Sequence, residues 1–248
     1  MNGAIAFALN GRRVLADPSG ALWLADEAML IVADLHLEKG SAFAGKGIAL
    51  PPYDTRATLA RLELVVAGYQ PRTVVCLGDS FHDCAGPARL VPDERIALRR
   101  LTGSCDWLWL AGNHDPVPPR DLGGRSAVEL DLGDLALRHE PLAGPAAGEI
   151  AGHLHPKASV LASGRRLSRR CFLTDGCRVI LPAFGAFTGG LDVLDAAFDG
   201  LMQPAFHALL LGERKLHAVS ARRLHADMSR GGGAVHATLR GALGRPTF

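Results

Sequence analysis

Apolar residues gather in short runs, and several of these runs end on aspartate, asparagine or histidine. Residues 29–33, Met-Leu-Ile-Val-Ala, form a continuous apolar run of the kind found in a central strand, with Asp34 and His36 at its carboxyl end. Residues 73–77 repeat the arrangement and end at Gly78-Asp79. Residues 107–110 repeat it again and end at Gly112-Asn113-His114-Asp115. Between them, residues 53–67 have helical spacing with a cap at Asp54 or Thr55, and residues 92–101 read as a basic amphipathic helix. Strand, polar loop, helix, strand is a βαβ rhythm that sets successive loops on one edge of a parallel or mixed sheet. Upstream, residues 4–9, 14–16 and 21–24 are apolar pieces broken by Asn10-Gly11 and Asp17-Pro18-Ser19-Gly20, the pattern of a strand meander.

The second half changes character. Residues 127–132, 135–138, 149–151, 171–174 and 178–181 are short strands, several of them separated by Gly-Asp or Asp-Gly. They predict a mostly antiparallel second sheet that returns His139, His153 and His155 to the edge carrying the earlier loops. Residues 38–52, rich in Gly and Lys, and residues 185–190 read as loops; in the latter, Gly189 and Gly190 either wall a site or make a plain turn. Trp107 and Trp109 alternate with leucines and read as packing. Residues 1–224 form one domain, and 225–248, with Gly231-Gly232-Gly233, a flexible Gly/Arg-rich tail.

Composition narrows the class. With 48% apolar and 21% charged residues the chain is globular, and no apolar run reaches the roughly 20 residues that span a bilayer. The amino-terminal segment lacks a basic flank and does not read as a signal peptide, and the five cysteines contain no CxxC pair. A cytoplasmic protein with reduced thiols and no membrane contact is expected. Net charge is only +2, but residues 213–248 hold seven basic and two acidic residues, and the remainder carries −3. That basic segment either follows a phosphate backbone or is simply solvated.

The chemistry lies in the ends of the apolar runs. Asp34-Leu35-His36 and His153-Leu154-His155 each space two polar side chains by two residues, which on an extended strand project to one side. Asp79 has two oxygens with which to bridge two ions, and Asn113 offers a neutral carbonyl oxygen. One metal is then held by Asp34, His36, Asp79 and His155, and a second by Asp79, Asn113, His139 and His153. Mixed oxygen and nitrogen shells suit manganese, iron or zinc better than magnesium or calcium. Two such ions share a hydroxide, lower its pKa and clamp phosphate oxygens, so in-line hydrolysis of a phosphoester is the natural reaction. His114, oriented by Asp115, is left free to protonate the departing oxygen. His82 and Asp83 are candidates for support or substrate contact. Lys39, Lys46 and Arg56 either meet a substrate phosphate or face water.

These motifs, D-x-H, G-D, G-N-H-D, a lone His and G-H-x-H in order, resemble the calcineurin-like metallophosphoesterase superfamily across about residues 21–194. The segments Ala33-Asp34-Leu35-His36-Leu37-Glu38-Lys39-Gly40, Leu50-Pro51-Pro52-Tyr53-Asp54-Thr55, Arg138-His139-Glu140-Pro141, Ala151-Gly152-His153-Leu154-His155-Pro156 and residues 181–190 are similar to one branch, the bacterial DNA-ligase-associated DNA-damage-response metallophosphoesterases. The resemblance implies an α/β four-layer sandwich of two facing mixed β-sheets flanked by helices, with the same ligand assignment. It further implies a manganese-dependent phosphodiesterase or endonuclease on single-stranded or flapped DNA, linked to a ligase and a helicase. The alternatives are a phosphoesterase for monoesters or cyclic nucleotides and, less favoured because every ligand is retained, a non-enzymatic binding subunit.

Overall fold

Two β-sheets face each other in the computed structural model, which describes residues 3–226 apart from 49, 52, 118 and 119. The first sheet keeps chain order: β1 (Ile5–Leu9), β2 (Arg12–Ala16), β3 (Leu22–Leu24), β4 (Met29–Val32), β5 (Thr73–Cys76), β6 (Asp106–Leu110) and β7 (Arg125–Ala127). β1 to β4 are the expected antiparallel meander, and β4 to β7 run parallel. The crossovers carry α1 (Lys39–Ala44), α2 (Asp54–Tyr69), α3 (Gly86–Arg89) and α4 (Pro92–Thr102). α4 starts with Pro92, has Asp93 and Glu94 in its first turn and Arg99 and Arg100 in its last, a charge order that complements the helix dipole.

The apolar runs are continuous because both faces of these strands are covered. Ile31, Val75, Leu108 and Leu110 pack toward the second sheet, while Leu30, Val32, Val74, Trp107 and Trp109 pack with Leu59, Leu62 and Leu98 of α2 and α4. Both tryptophans are buried, and Trp109 Nε1–H donates to Gly123 O at 2.9 Å.

The second sheet contains β8 (Leu130–Asp131), β9 (Ala136–Arg138), β10 (Glu149–Ala151), β11 (Pro156–Ala162), β12 (Arg165–Thr174), β13 (Arg178–Ile180), β14 (Leu191–Asp192), β15 (His207–Leu211) and β16 (Leu216–Ser220). Its order is β14-β11-β12-β13-β10-β9-β8, with β15 on β12 and β16 on β15. The sheet is mixed and, as expected, mostly antiparallel, although β9, β10 and β13 run parallel to one another. The connection from β9 to β10 is long enough to cross over, so it need not turn back as a hairpin. The outer layer over this sheet is not helical among the described residues. Val193 and Phe198, from an irregular segment with a 3-10 turn at Ala196–Phe198, and Leu224, after a second such turn at Ala221–Arg223, cover Cys171, Leu173 and Ile180.

At the seam, Ala33 bridges Ala183 in parallel, and Phe184 N–H donates to Ala33 O at 2.8 Å. Residues 225 and 226 of the expected tail are still tied down, by His225 N–H to Ser159 O and by Arg166 to Ala226 O. The rest of that segment, 227–248, lies outside the described residues. No helix among the described residues is long and apolar enough to cross a membrane.

Candidate metal centre

Five strands of the two sheets end at one edge of the seam. Asp34 and His36 follow β4, Asp79 follows β5, Asn113 follows β6, His139 follows β9, and His153 and His155 lie between β10 and β11. Asp34, His36, Asp79, His153 and His155 all adopt left-handed backbone, with φ of 55°, 43°, 47°, 70° and 47°. The two-residue spacing therefore works through kinked loops, not through the strand alternation expected for Asp34 and His36. Such conformations are costly for residues with a Cβ and cluster where function needs them. Here hydrogen bonds hold them: His36 N–H donates to Asp79 O at 2.9 Å, and His153 N–H donates to Asp34 Oδ2 at 3.0 Å. Gly112 is required by close approach, since a Cβ there would stand 2.2 Å from Asp79.

The side chains converge in two groups, Asp34 with His36 and His155, and Asp79 with His139 and His153. His36 Nε2 and His155 Nε2 are 3.1 Å apart. His139 Nε2 and His153 Nδ1 are 3.2 Å apart, and both point at Asn113 Oδ1, at 2.9 and 3.0 Å. Asp79 turns one oxygen to each group, Oδ1 lying 3.4 Å from His139 Nε2 and Oδ2 lying 3.7 Å from His36 Nε2.

Charge and protonation fit divalent cations. Asp34 and Asp79 are 0% and 2% exposed, and the partners within ion-pair distance of their carboxylates are histidines, with no lysine or arginine among the described residues. Buried anions without a fixed cation are costly unless a metal completes them. Burial works to raise the Asp34 pKa, but the hydrogen bond from His155 and the nearby imidazoles prevail, and the carboxyl is held low. Burial, opposed by Asp34, pushes His36 down to about 3, leaving a neutral ring with a free lone pair. His139 Nδ1–H donates to Leu77 O at 2.8 Å, which aims Nε2 inward.

The remaining candidates are distributed unevenly. His114 sits beside the centre, its Nε2 4.0 Å from Asp79 Oδ2 and its ring 5.1 Å from that of His36. Its orientation is set by the His82 carbonyl, which accepts from Nδ1–H at 2.7 Å, and not by Asp115 as expected. The Asp115 carboxylate instead accepts from Phe81 N–H at 3.0 Å, where burial, with Asp79 adding, lifts its pKa to about 7. His82 stacks on His114 at 5.3 Å and joins His36 and His114 in a third convergent group. Asp83 caps Ala85 N–H and pairs with Arg89 at 2.9 Å. Arg56 faces a groove between α2 and α4 with Tyr53, Asp93 and Glu94, away from the histidines. Gly190 lies against His155, where a Cβ would stand 2.4 Å from the carbonyl oxygen. The sequence reading missed Arg89 and Phe43, and nothing but a basic residue seven positions after His82 signalled the former.

The two-sheet fold and these ordered Asp, His and Asn clusters resemble those of a calcineurin-like metallophosphoesterase. The structure is similar to that of Pseudomonas putida nuclease MPE, with a TM-score of 0.68 and 28% identity over 86% of this chain and 100% of that one. YfcE, a phosphoesterase from E. coli, matches at a TM-score of 0.39 and 17% identity over 77% and 98% of the two chains. No family profile and no curated protein sequence matches the chain.

Proposed function

We propose that the protein is a manganese-dependent, dinuclear phosphodiesterase that cuts nucleic acid, most favourably single-stranded or flapped DNA. The observation that carries this reading is the pair of adjoining Asp/His groups, with Asp79 turning one oxygen to each, in a chain similar to a nuclease over that protein's whole length. Asp34, His36, Asp79 and His155 hold one ion; Asp79, Asn113, His139 and His153 hold the other. Two divalent cations in that position supply Lewis acidity toward phosphate oxygens and make water acidic enough to act at neutral pH. The mixed donor set, with one amide and four imidazoles, suits manganese, and also admits iron or zinc.

The chain's own residues supply the rest. Asp79, with an oxygen toward each group, fixes the separation of the two halves. His114 has Nδ1–H committed to the His82 carbonyl, so its Nε2 is the atom that carries a proton to the departing oxygen or steadies charge on the phosphoryl group. Its position beside Asp79 and outside both ligand groups suits a proton carrier.

A metal screen on one preparation tests this. Manganese, zinc, magnesium and chelator are compared on labelled single-stranded DNA, a nitrophenyl phosphodiester and a nitrophenyl monoester. Internal cuts in DNA with manganese, abolished by chelator, are expected. Hydrolysis of the small esters with DNA left whole would assign the site to small phosphoesters instead.

A further inference from the structure

α1 sets two cations beside the histidine groups. Lys39 opens the helix and Lys46 follows its end, and each ammonium lies 5.9 Å from the centre of the Phe43 ring, within cation–π range. Phe43 in turn meets His82 at 5.4 Å, His82 stacks on His114 at 5.3 Å, and His114 meets His36 edge-on at 5.1 Å. Four rings in contact thus lead from the lysine pair to the candidate metal centre.

The arrangement is anchored. Gly40 N–H donates to Asp54 Oδ2 at 3.0 Å, and Ser41 Oγ–H donates to the Glu38 carboxylate at 2.6 Å. Arg89 Nε–H donates to Ser41 Oγ at 2.9 Å while its other end pairs with Asp83, so one guanidinium clamps α1 to the His82 loop. Neither lysine has a carboxylate within ion-pair distance among the described residues. Burial holds the Lys39 ammonium below its ordinary range, with Asp54 only partly opposing. A half-buried Lys39 and an exposed Lys46 held on one ring, neither ion-paired among the described residues, favour an anion from outside.

The scissile phosphate is already claimed by the metal groups and His114. We infer that Lys39 and Lys46, held on Phe43, form a subsite for a neighbouring phosphate of the same strand, so that the substrate is a polynucleotide and not a single phosphoester. This rests on the nuclease reading above. A monoester has no second phosphate to offer and gains nothing from the pair.

The test follows kcat/KM against salt concentration for a labelled single-stranded oligonucleotide, with bis(4-nitrophenyl) phosphate run in parallel. It compares the wild-type chain, Lys39→Gln/Lys46→Gln and the charge-retaining Lys39→Arg/Lys46→Arg. On single strands, the log–log salt slope should become shallower by about 0.7 for each phosphate the pair neutralises, with the loss in KM. The ratio of oligonucleotide to small-diester efficiency should fall about tenfold in the glutamine variant and return in the arginine one. An unchanged slope and ratio in a wild type that does cut the oligonucleotide overturns the subsite alone. Parallel loss of both substrates means that the lysines only support α1, and overturns it equally. A wild type that turns over the small diester and leaves the oligonucleotide whole overturns the nuclease reading, and the subsite with it.

Discussion

The two sheets bring unlike chemistry to the same edge. The parallel half of the first sheet delivers both carboxylates and the amide, Asp34, Asp79 and Asn113, from loops after β4, β5 and β6. The second sheet delivers only imidazoles, His139, His153 and His155. Among the proposed ligand histidines, His36 alone stands with the carboxylates on the first sheet. Neither sheet completes either ligand group: Asp34 and His36 lack His155, and Asp79 lacks both His139 and His153. The formal negative charge of the site therefore lies wholly on one side, and the imidazoles of the proposed ligand set, His36 apart, lie on the other. On the proposed ligand assignment, metal binding would couple to docking of the sheets, because that ligand set exists only when the seam is closed.

Substitutions on the two sides separate these roles most sharply. Asp79→Ala removes the oxygen pair that faces both groups, so both ions should be lost and turnover should fall by at least about 10³-fold, the scale of several kcal/mol of metal-based stabilisation. His153→Ala, on the imidazole side, should reduce bound metal from two ions to one. His114→Ala should keep both ions and lose roughly 10²- to 10⁴-fold in kcat, as expected for a proton carrier. Metal content by mass spectrometry, alongside rates, distinguishes the three. A metal-free His114→Ala protein would show that His114 is a ligand and that the assigned roles are wrong.

The sheets also differ in how they bury charge away from the centre. In the second sheet, Arg178 and Glu149 are 1% and 2% exposed and paired with each other, and Arg178 also donates to Leu142 O at 2.7 Å and Gly144 O at 3.0 Å. Arg178→Met leaves the Glu149 carboxylate buried and should cost about 3–5 kcal/mol, read from denaturant midpoints. Arg178→Met with Glu149→Leu should recover most of that loss. A single variant that unfolds at the wild-type midpoint would mean that Glu149 finds its counter-charge in Arg138, 3.6 Å away.

Much of this was legible in the sequence because the ligand residues end apolar runs whose both-sided burial leaves no other reading. The strands β4, β5 and β6 and the order of the polar loops followed from that alone. Other features were hidden for physical reasons. The β11–β12 hairpin turns at Ser163-Gly164 and carries Arg165, Arg166, Arg169 and Arg170 in its second strand, so it presents little apolar alternation. α1 is six residues long, and its N-cap Glu38, with a φ of 64° and no side-chain cap, gives no start signal. The left-handed kinks at Asp34, Asp79 and His153 depend on partners more than 40 residues away or across the seam, which local pattern does not encode.

The smallest expected effect concerns carboxylates near the first ligand loop, which lack the arginine that Glu149 enjoys. Glu38 and Asp54 are buried there, receiving hydrogen bonds from Ser41, Thr55 and the Gly40 backbone, and Glu94 of α4 lies against them. Burial, then Glu38 and Asp54, raises the Glu94 carboxyl from 4.5 to about 7. The folded chain thus keeps a proton that the unfolded chain has released, and stability from this group is present below about pH 4.5 and lost as pH rises to about 7. Glu94→Gln cannot release a proton, so its stability relative to wild type should rise steadily across that window and level off above it. Denaturant midpoints of both proteins at half-unit steps from pH 4.5 to 8 measure the difference. If the difference stays constant with pH, the acidic cluster is already relieved, and the contrast with the Arg178–Glu149 pair is one of geometry alone.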